Sequence, residues 1–321
     1  MYTLFGIKFM KQKNMRQVLL ATAPLVIAGI YFFGWRSLVL LIVNCIAAVF
    51  TEYLFKRKDN KPVTEAAFVS AVLYTLILPP GMNFIFSAVG MAFGIVFGKE
   101  AFGGFGRNVF NPAMVARAFV YISFAEMMTG EWNAPSTGFP GGFAKWLSTP
   151  MDVVAQATPM LRYQNGGALE PLYNLLIGTV AGSIGEVSKV LIIIGMIYLL
   201  VKKASAYQNV LGMFLGFSIT TLAFNVLGVE STQPYVQNLL TGGLLFAMAF
   251  MITDPITSAR TNAGKYLTSG LAGVMTVVIR SFAIFPGGVM FAILIANMFG
   301  PIIDEGVKAL QNRKKVSRGE S

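Results

Sequence analysis

The sequence predicts an all-α polytopic membrane protein, with about ten transmembrane helices in two inverted five-helix repeats and a long external loop. Three observations predict it. Of 321 residues, 55% are hydrophobic and 12% charged, and the apolar residues gather in long runs, which excludes a soluble globular domain. About ten of these runs approach the roughly 20 apolar residues of a spanning helix. The motif Asn111-Pro-Ala-Met-Val-Ala-Arg117 returns 143 residues later as Asp254-Pro-Ile-Thr-Ser-Ala-Arg260.

In order, the expected spans cover roughly 17–34, 37–54, 65–79, 84–98, 109–125, 187–202, 207–226, 237–253, 267–283 and 286–302. The first follows a basic segment and lacks a small-x-small cleavage site, so it reads as a retained helix rather than a signal peptide. The spans at 65–79, 84–98 and 109–125 are short and read as tilted, broken or partly re-entrant. Pro79-Pro80-Gly81 and Phe285-Pro286-Gly287-Gly288 read as tight turns between spans. The chain divides into a first repeat (1–125), an external loop (126–186), a second repeat (187–302) and a basic cytoplasmic tail (303–321).

The net charge is +11. Its distribution points to membrane topology rather than nucleic acid. With ten spans and the N-terminus inside, 19 of the 25 basic residues fall in cytoplasmic segments. Arg36, Arg117, Lys145, Arg162, Lys189 and Arg280 are the remainder. Both termini are therefore expected in the cytoplasm and the 126–186 loop outside. The chain has no histidine and one cysteine, Cys45 in the second span. One thiol forms no internal disulfide, and these residues supply neither an iron–sulfur nor an ordinary haem ligand set. Cys45 reads as a small core residue. No metal site is expected, and redox chemistry would need an organic cofactor or partner subunits.

Both copies of the motif follow a Gly-rich apolar segment, GMAFGIVFG (90–98) and GGLLFAMAFMI (242–252). With about five spans per half, the second copy is inserted upside down, the plan of many transporters and channels. Asn or Asp before Pro is a good N-cap, and Pro suits the first helical position, so each motif is expected to open a helix. Arg117 and Arg260 would lie about two turns in, and an intramembrane Arg117 needs a partner. Asn111, Arg117, Asp254 and Arg260 are the candidates for an ion path or gate at the repeat interface. Capping and packing is the alternative role. Gly94 and Gly98 form a GxxxG pair suited to close helix packing, and Gly242 and Gly243 are expected to act similarly.

The 126–186 loop is too long for a simple connector. It ends in Gly182-Ser183-Ile184-Gly185-Glu186-Val187-Ser188, whose glycine turn and following helix start offer either anion-binding N–H groups or a plain cap. It also holds Asp152-Val-Val-Ala-Gln-Ala-Thr158, followed by Pro159. Thr158 has small neighbours, and a residue before proline favours extended backbone. Its hydroxyl can act as a phosphoryl acceptor, or it is an ordinary loop threonine.

The 152–158 stretch resembles the flavinylation motif D-x-x-[S/T]-G-A-T of the D subunit of the Rnf complex and the B subunit of the sodium-translocating NADH:quinone reductase. The resemblance continues in GRNVFNPAMVARAF (106–119), GSIGEVSK (182–189), TDPITSA (253–259) and GVMFAILIANMFGPIID (288–304), so it covers most of the chain. Ala155-Gln156 stands where the family commonly has Ser-Gly. Gln156 is bulkier and lacks glycine's access to positive φ.

The resemblance implies a flavin transferase that joins FMN through its phosphate to the Thr158 hydroxyl, with Asp152 and Ala157 completing the motif and Ser183 and Glu186 as further cofactor contacts. It also implies a second, non-covalent flavin. The early first span looks more like the Rnf D subunit than the reductase subunit. That resemblance implies a membrane flavoprotein in the cytoplasmic membrane of a bacterium or archaeon, relaying electrons between ferredoxin and NAD⁺ with Na⁺ or H⁺ translocation. The implied partners are the flavin-bearing G subunit and the small membrane subunits; the chain alone would have no complete activity. Two other readings stand beside it: a passive channel or secondary transporter of inverted-repeat fold, and a structural subunit whose flavin site has lapsed.

Overall fold

The computed structural model describes residues 1–4, 6–129, 132–148, 158–186, 188–283 and 288–317. The chain opens with β1 (Tyr2–Leu4) and β2 (Ile7–Met10), an antiparallel hairpin. Helices α1 (Lys13–Phe33) and α2 (Arg36–Lys56) follow. Strand β3 (Val63–Thr64) joins β2 in parallel, with Phe9 opposite Val63. Next come α3 (Ala66–Leu76), α4 (Phe84–Gly98) and α5 (Pro112–Ser123). The long loop carries the short helices α6 (Ala125–Thr129), α7 (Pro159–Gln164) and α8 (Leu172–Ile177). The second half holds α9 (Lys189–Val201), α10 (Tyr207–Val226), α11 (Tyr235–Leu240), α12 (Leu244–Phe246) with a π-helical turn Ala247–Met251, α13 (Asn262–Phe282) and α14 (Val289–Ser317).

This is an all-α multi-pass membrane architecture. Among the described residues, five helical stretches are long and apolar enough to cross a bilayer: Lys13–Phe33, Arg36–Asp59, Phe84–Phe102, Tyr207–Val226 and Val289–Arg313. Helices α3, α5 and α9 have 11, 12 and 13 residues. At 1.5 Å per residue they reach about 16–20 Å, short of the roughly 30 Å hydrocarbon core. The expected span at 237–253 is a broken segment: α11 stops, the chain turns at Gly242 with φ +61°, and helix resumes at Leu244. Within the expected 303–321 tail, helix α14 continues through Ser317.

Local chemistry sets the helix starts. Asn83 and Asn111 accept from Ile85 N (2.9 Å) and Ala113 N (3.0 Å), and Pro112 occupies the first turn of α5. Gly94 lets α4 meet α5: a Cβ there would lie 2.5 Å from Pro112 O and 2.6 Å from Ala116 Cβ. The packing reading of this GxxxG pair therefore holds. Gly242 and Gly243 act differently, at the break rather than along a helix face.

The halves share a packing order. Helix α2 packs on α3 and α4, and α4 on α5; α10 packs on the π turn and α13, and α13 on α14; α1 meets α9. By that order Asn111 opens the fifth segment of its half, whereas Asp254 follows the third of its own. The two sequence motifs are thus not structural equivalents. Nor does the second open a helix. Asp254 Oδ1 accepts from Ile256 N at 3.0 Å and Asp254 O from Ser258 N, but after one turn Asp304 takes Arg260 N (3.0 Å) and Thr261 N (2.9 Å). Helix α13 then starts afresh, capped by Thr261.

The described ends of the chain, the β-sheet and the 252–261 turn lie at one end of the bundle, the terminal end, and the described residues of the 124–188 segment at the other, the loop end. Two buried cations mark corresponding corners. At the terminal end Lys99, just past α4, donates to Glu52 Oε2 (2.6 Å) and Thr64 Oγ1 (2.7 Å) ahead of α3. At the loop end Arg280, in the last turn of α13, donates to Asn238 O (2.7 Å) and Thr241 O (3.1 Å) ahead of α12. The expected turn at Pro79-Pro80-Gly81 is present, closed by Met82 N on Pro79 O; Phe285–Gly287 lie outside the described residues. Cys45 is a half-buried residue packed against the core.

Candidate functional site

A cleft of about 940 Å³, counting its open mouth, occupies the loop end. Thr158 lines it, together with Trp132, Ser183, Arg117, Glu186 and Lys189. The sequence separates these residues; the bundle gathers them. Thr158 has φ −55° and ψ 156°, the extended backbone expected before proline. It caps α7 weakly, its Oγ1 accepting from Leu161 N at 3.4 Å. Asp152, Gln156 and Ala157 lie outside the described residues.

The Ser183–Glu186 segment reaches the cleft by closing the end of α3. Ile184 N donates to Leu78 O (3.1 Å) and Gly185 N to Leu76 O (2.7 Å). Those two N–H groups are consumed within the protein, so they are not donors to an anion. The side chains remain. Among the described residues, Ser183, 1% exposed, has no hydrogen-bond partner for its Oγ, and Trp132, 7% exposed, has none for its Nε1. Buried polar groups without partners are rare in folded proteins, and both of these line one cleft. Glu186 accepts from Arg117 Nη1 at 3.0 Å, so the expected partner of Arg117 is found.

Two buried cations here went unread in the sequence. Lys189 Nζ donates to Gly242 O at 3.0 Å and to Glu186 O. Arg280 stands behind Gly242, its Nη2 3.1 Å from where a Cβ would be. Gly243 leaves room that the Glu186 carboxylate fills. Arg117 and Lys189 thus line a cleft, with Arg280 behind its Gly242 wall, whose one lining carboxylate, among the described residues, is Glu186. A signal was present, since Lys189 and Arg280 were left over from the cytoplasmic charge tally, but nothing in their spacing tied them to residues 238–242.

A second cleft, of about 640 Å³, lies at the terminal end. It brings together Asn111 and Asp254, with Lys99, Asn108 and Thr253. Asn108 is 6% exposed and its Oδ1 has no partner. The two clefts share walls: Ile77, Arg117, Phe246 and Lys189 on one side, Leu73, Pro112, Phe250 and Leu199 on the other. Met114, Phe246, Phe250 and Met251, all 3% exposed or less, stand in the region between them. Arg260 joins neither; it is exposed and lines a polar surface cleft with Arg107 and Lys308. Of the four ion-path candidates, the structure groups Asn111 with Asp254, puts Arg117 on the other side and leaves Arg260 outside.

Comparison with known proteins fits this arrangement. The Na⁺-translocating NADH-quinone reductase of Chromohalobacter salexigens has a B subunit that is 37% identical over 307 residues, covering 92% of this chain and 70% of the relative. Its counterparts in Ectopseudomonas mendocina (37% over 287 residues, 86% and 68% coverage) and Klebsiella pneumoniae (34% over 313 residues, 89% and 72%) are similar. A family model matches residues 8–312, nearly the whole bundle with both clefts, and on that match the chain belongs to the NQR2, RnfD, RnfE family.

Proposed function

We propose that this chain is a membrane subunit of a redox-driven, Na⁺- or H⁺-translocating pump and carries FMN as a phosphoester on Thr158. One observation carries the reading: Thr158 shares a cleft with two buried donors that lack partners, Ser183 Oγ and Trp132 Nε1, beside an excess of positive charge. The donor set suits a phosphate and a polar ring edge, so the residues fit the group.

FMN there supplies redox chemistry in one- or two-electron steps. The chain's own residues do the rest. Thr158 anchors the phosphate; Ser183 and Trp132 offer hydrogen bonds; Arg117 and Lys189 favour negative charge in the cleft; Glu186 holds Arg117. A second, non-covalent flavin belongs to the same reading. The basic-residue bias supports a cytoplasmic terminal end and an external loop. That orientation would bring Thr158 to the outer face, in reach of a flavin-bearing G subunit and the small membrane subunits, after maturation by a flavin transferase.

The resemblance favours electron flow between ferredoxin and NAD⁺, and the relatives' names favour Na⁺. Presenting the assembled complex with reduced ferredoxin or with NADH and quinone separates the two kinds of subunit. The two clefts in series suit a passage for ions, with Asn111 and Asp254 at one end. A passive channel would share that feature, but it has no use for a threonine beside unpartnered donors. Na⁺ and H⁺ uptake by vesicles containing the complex, with wild-type chain or with Thr158→Ala, tests the coupling. Redox-driven uptake should vanish in the variant, and equal uptake by both would sink the proposal.

A further inference from the structure

We infer that residues 133–148 form a rigid aromatic ledge seated in the headgroup layer of the bilayer at the loop end, with the lipid surface as its partner. The segment is strapped across the turn between α1 and α2. Ser136 N donates to Phe32 O (2.7 Å) and Ser148 N to Phe33 O (2.9 Å). In return Trp35 N donates to Lys145 O (3.2 Å) and Arg36 N to Trp146 O (2.8 Å). Side chains add Trp35 Nε1 to Phe143 O (2.8 Å) and Tyr31 OH to Gly138 O (3.1 Å). Contact is close enough to require glycine at Gly34, where φ is +97° and a Cβ would lie 2.6 Å from Trp146 O. A strap tied down at so many points does not rearrange to hide its side chains.

It nevertheless exposes large aromatics. Phe139 is 94% exposed, Trp146 56% and Phe143 39%, and Trp35 on the α1–α2 turn beneath adds 44%. Such a patch on a fixed backbone calls for a covering phase. Two features select lipid. The ledge crowns α1 and α2, whose Leu20, Ile27, Ile42 and Ile46 are exposed along their length, so it continues a lipid-facing surface at the level where these two spans end. Its chemistry also matches the interface. Residues 133–148 contain no Asp or Glu, and their single charge is Lys145, which is exposed. Aromatic rings with a cation beside them are favoured at the headgroup level. The inference stands apart from the cofactor proposal.

The chain's one cysteine makes the test direct. On a Cys45→Ala background, Phe139→Cys and, separately, Trp146→Cys are spin-labelled in full-length chain reconstituted into phosphatidylcholine–phosphatidylglycerol vesicles. Ile46→Cys marks lipid and Lys61→Cys marks water. Collision with oxygen and with a water-soluble nickel chelate gives depth. Both ledge labels should fall between the two references, favour oxygen, and stay so after assembly with the partner subunits. Nickel access equal to that at residue 61 would overturn the inference. So would loss of both collision partners on assembly, which would make the ledge a protein-docking surface.

Discussion

Arg117 on α5 and Glu186 ahead of α9 are joined at 3.0 Å, tying the first half of the bundle to the segment that introduces the second. The pair faces the cleft that Thr158 lines, with side chains only 15% and 10% exposed. Removing one member leaves the other charge without its partner in a mostly buried place, which costs about 3–5 kcal/mol. Arg117→Met and Glu186→Gln should each lower the thermal midpoint of the purified chain. The double variant should recover much of the loss. Additive losses in this cycle would mean that the two side chains do not act as a pair.

The corner at Lys99 makes a parallel prediction. Glu52 is wholly buried and bound by Lys99 and Lys56, with Thr64 donating as well. Lys99→Met removes the more deeply buried of the two cations, leaves the carboxylate only the more exposed Lys56 and Thr64, and should destabilise by about 3–5 kcal/mol. Lys56→Met should cost less, because Lys99 and Thr64 still hold Glu52. Lys99→Met with Glu52→Gln should again recover stability in thermal unfolding.

Glycine substitutions probe the α4–α5 contact. Gly94→Leu puts a side chain where Pro112 O and Ala116 stand within 2.6 Å of the Cβ. That clash with fixed backbone should cost at least about 1–3 kcal/mol. Gly306→Ala, in α14 with nothing within 4 Å, should be neutral or stabilising by up to about 1 kcal/mol. Comparing the two midpoints separates packing from propensity.

The β-sheet end should respond to acid. Burial alone would raise the Glu65 pKa, but the Arg16 guanidinium at 2.5 Å and the Gln12 N–H at 2.6 Å outweigh it and hold the carboxyl below its usual 4.5. A depressed folded-state pKa contributes stability that is present above the unfolded value and is lost as pH falls through the folded one. Hydrogen exchange at Gln12 and Ala66 should therefore stay slow above pH 4.5 and quicken below it. In Glu65→Gln that acid step should disappear; an unchanged step would assign it to another group.

Much of the bundle was legible because long apolar runs declare spans, and each of the ten expected segments contains helix. The break at 241–243 was not, since Gly242-Gly243 reads the same in a packed helix as at a turn. The hairpin at Tyr2–Leu4 and Ile7–Met10 was missed because its strands are too short for alternation to register. The motif repeat misled for a local reason: Asp254-Pro255 has the chemistry of a helix start, and only Asp304, 50 positions away, diverts the backbone. For the site, the 152–158 motif singled out Thr158. Its neighbours Trp132, Lys189 and Arg280 come from distant segments, and their convergence is a product of tertiary packing.

The most direct test of the central claim is in-gel ultraviolet fluorescence of the denatured chain, co-expressed with its flavin transferase, beside Thr158→Ala. The wild type should give a fluorescent band that is lost in the variant. A dark wild-type band, with the transferase active on a control substrate, would contradict it and favour a channel or a subunit whose flavin site has lapsed at Gln156.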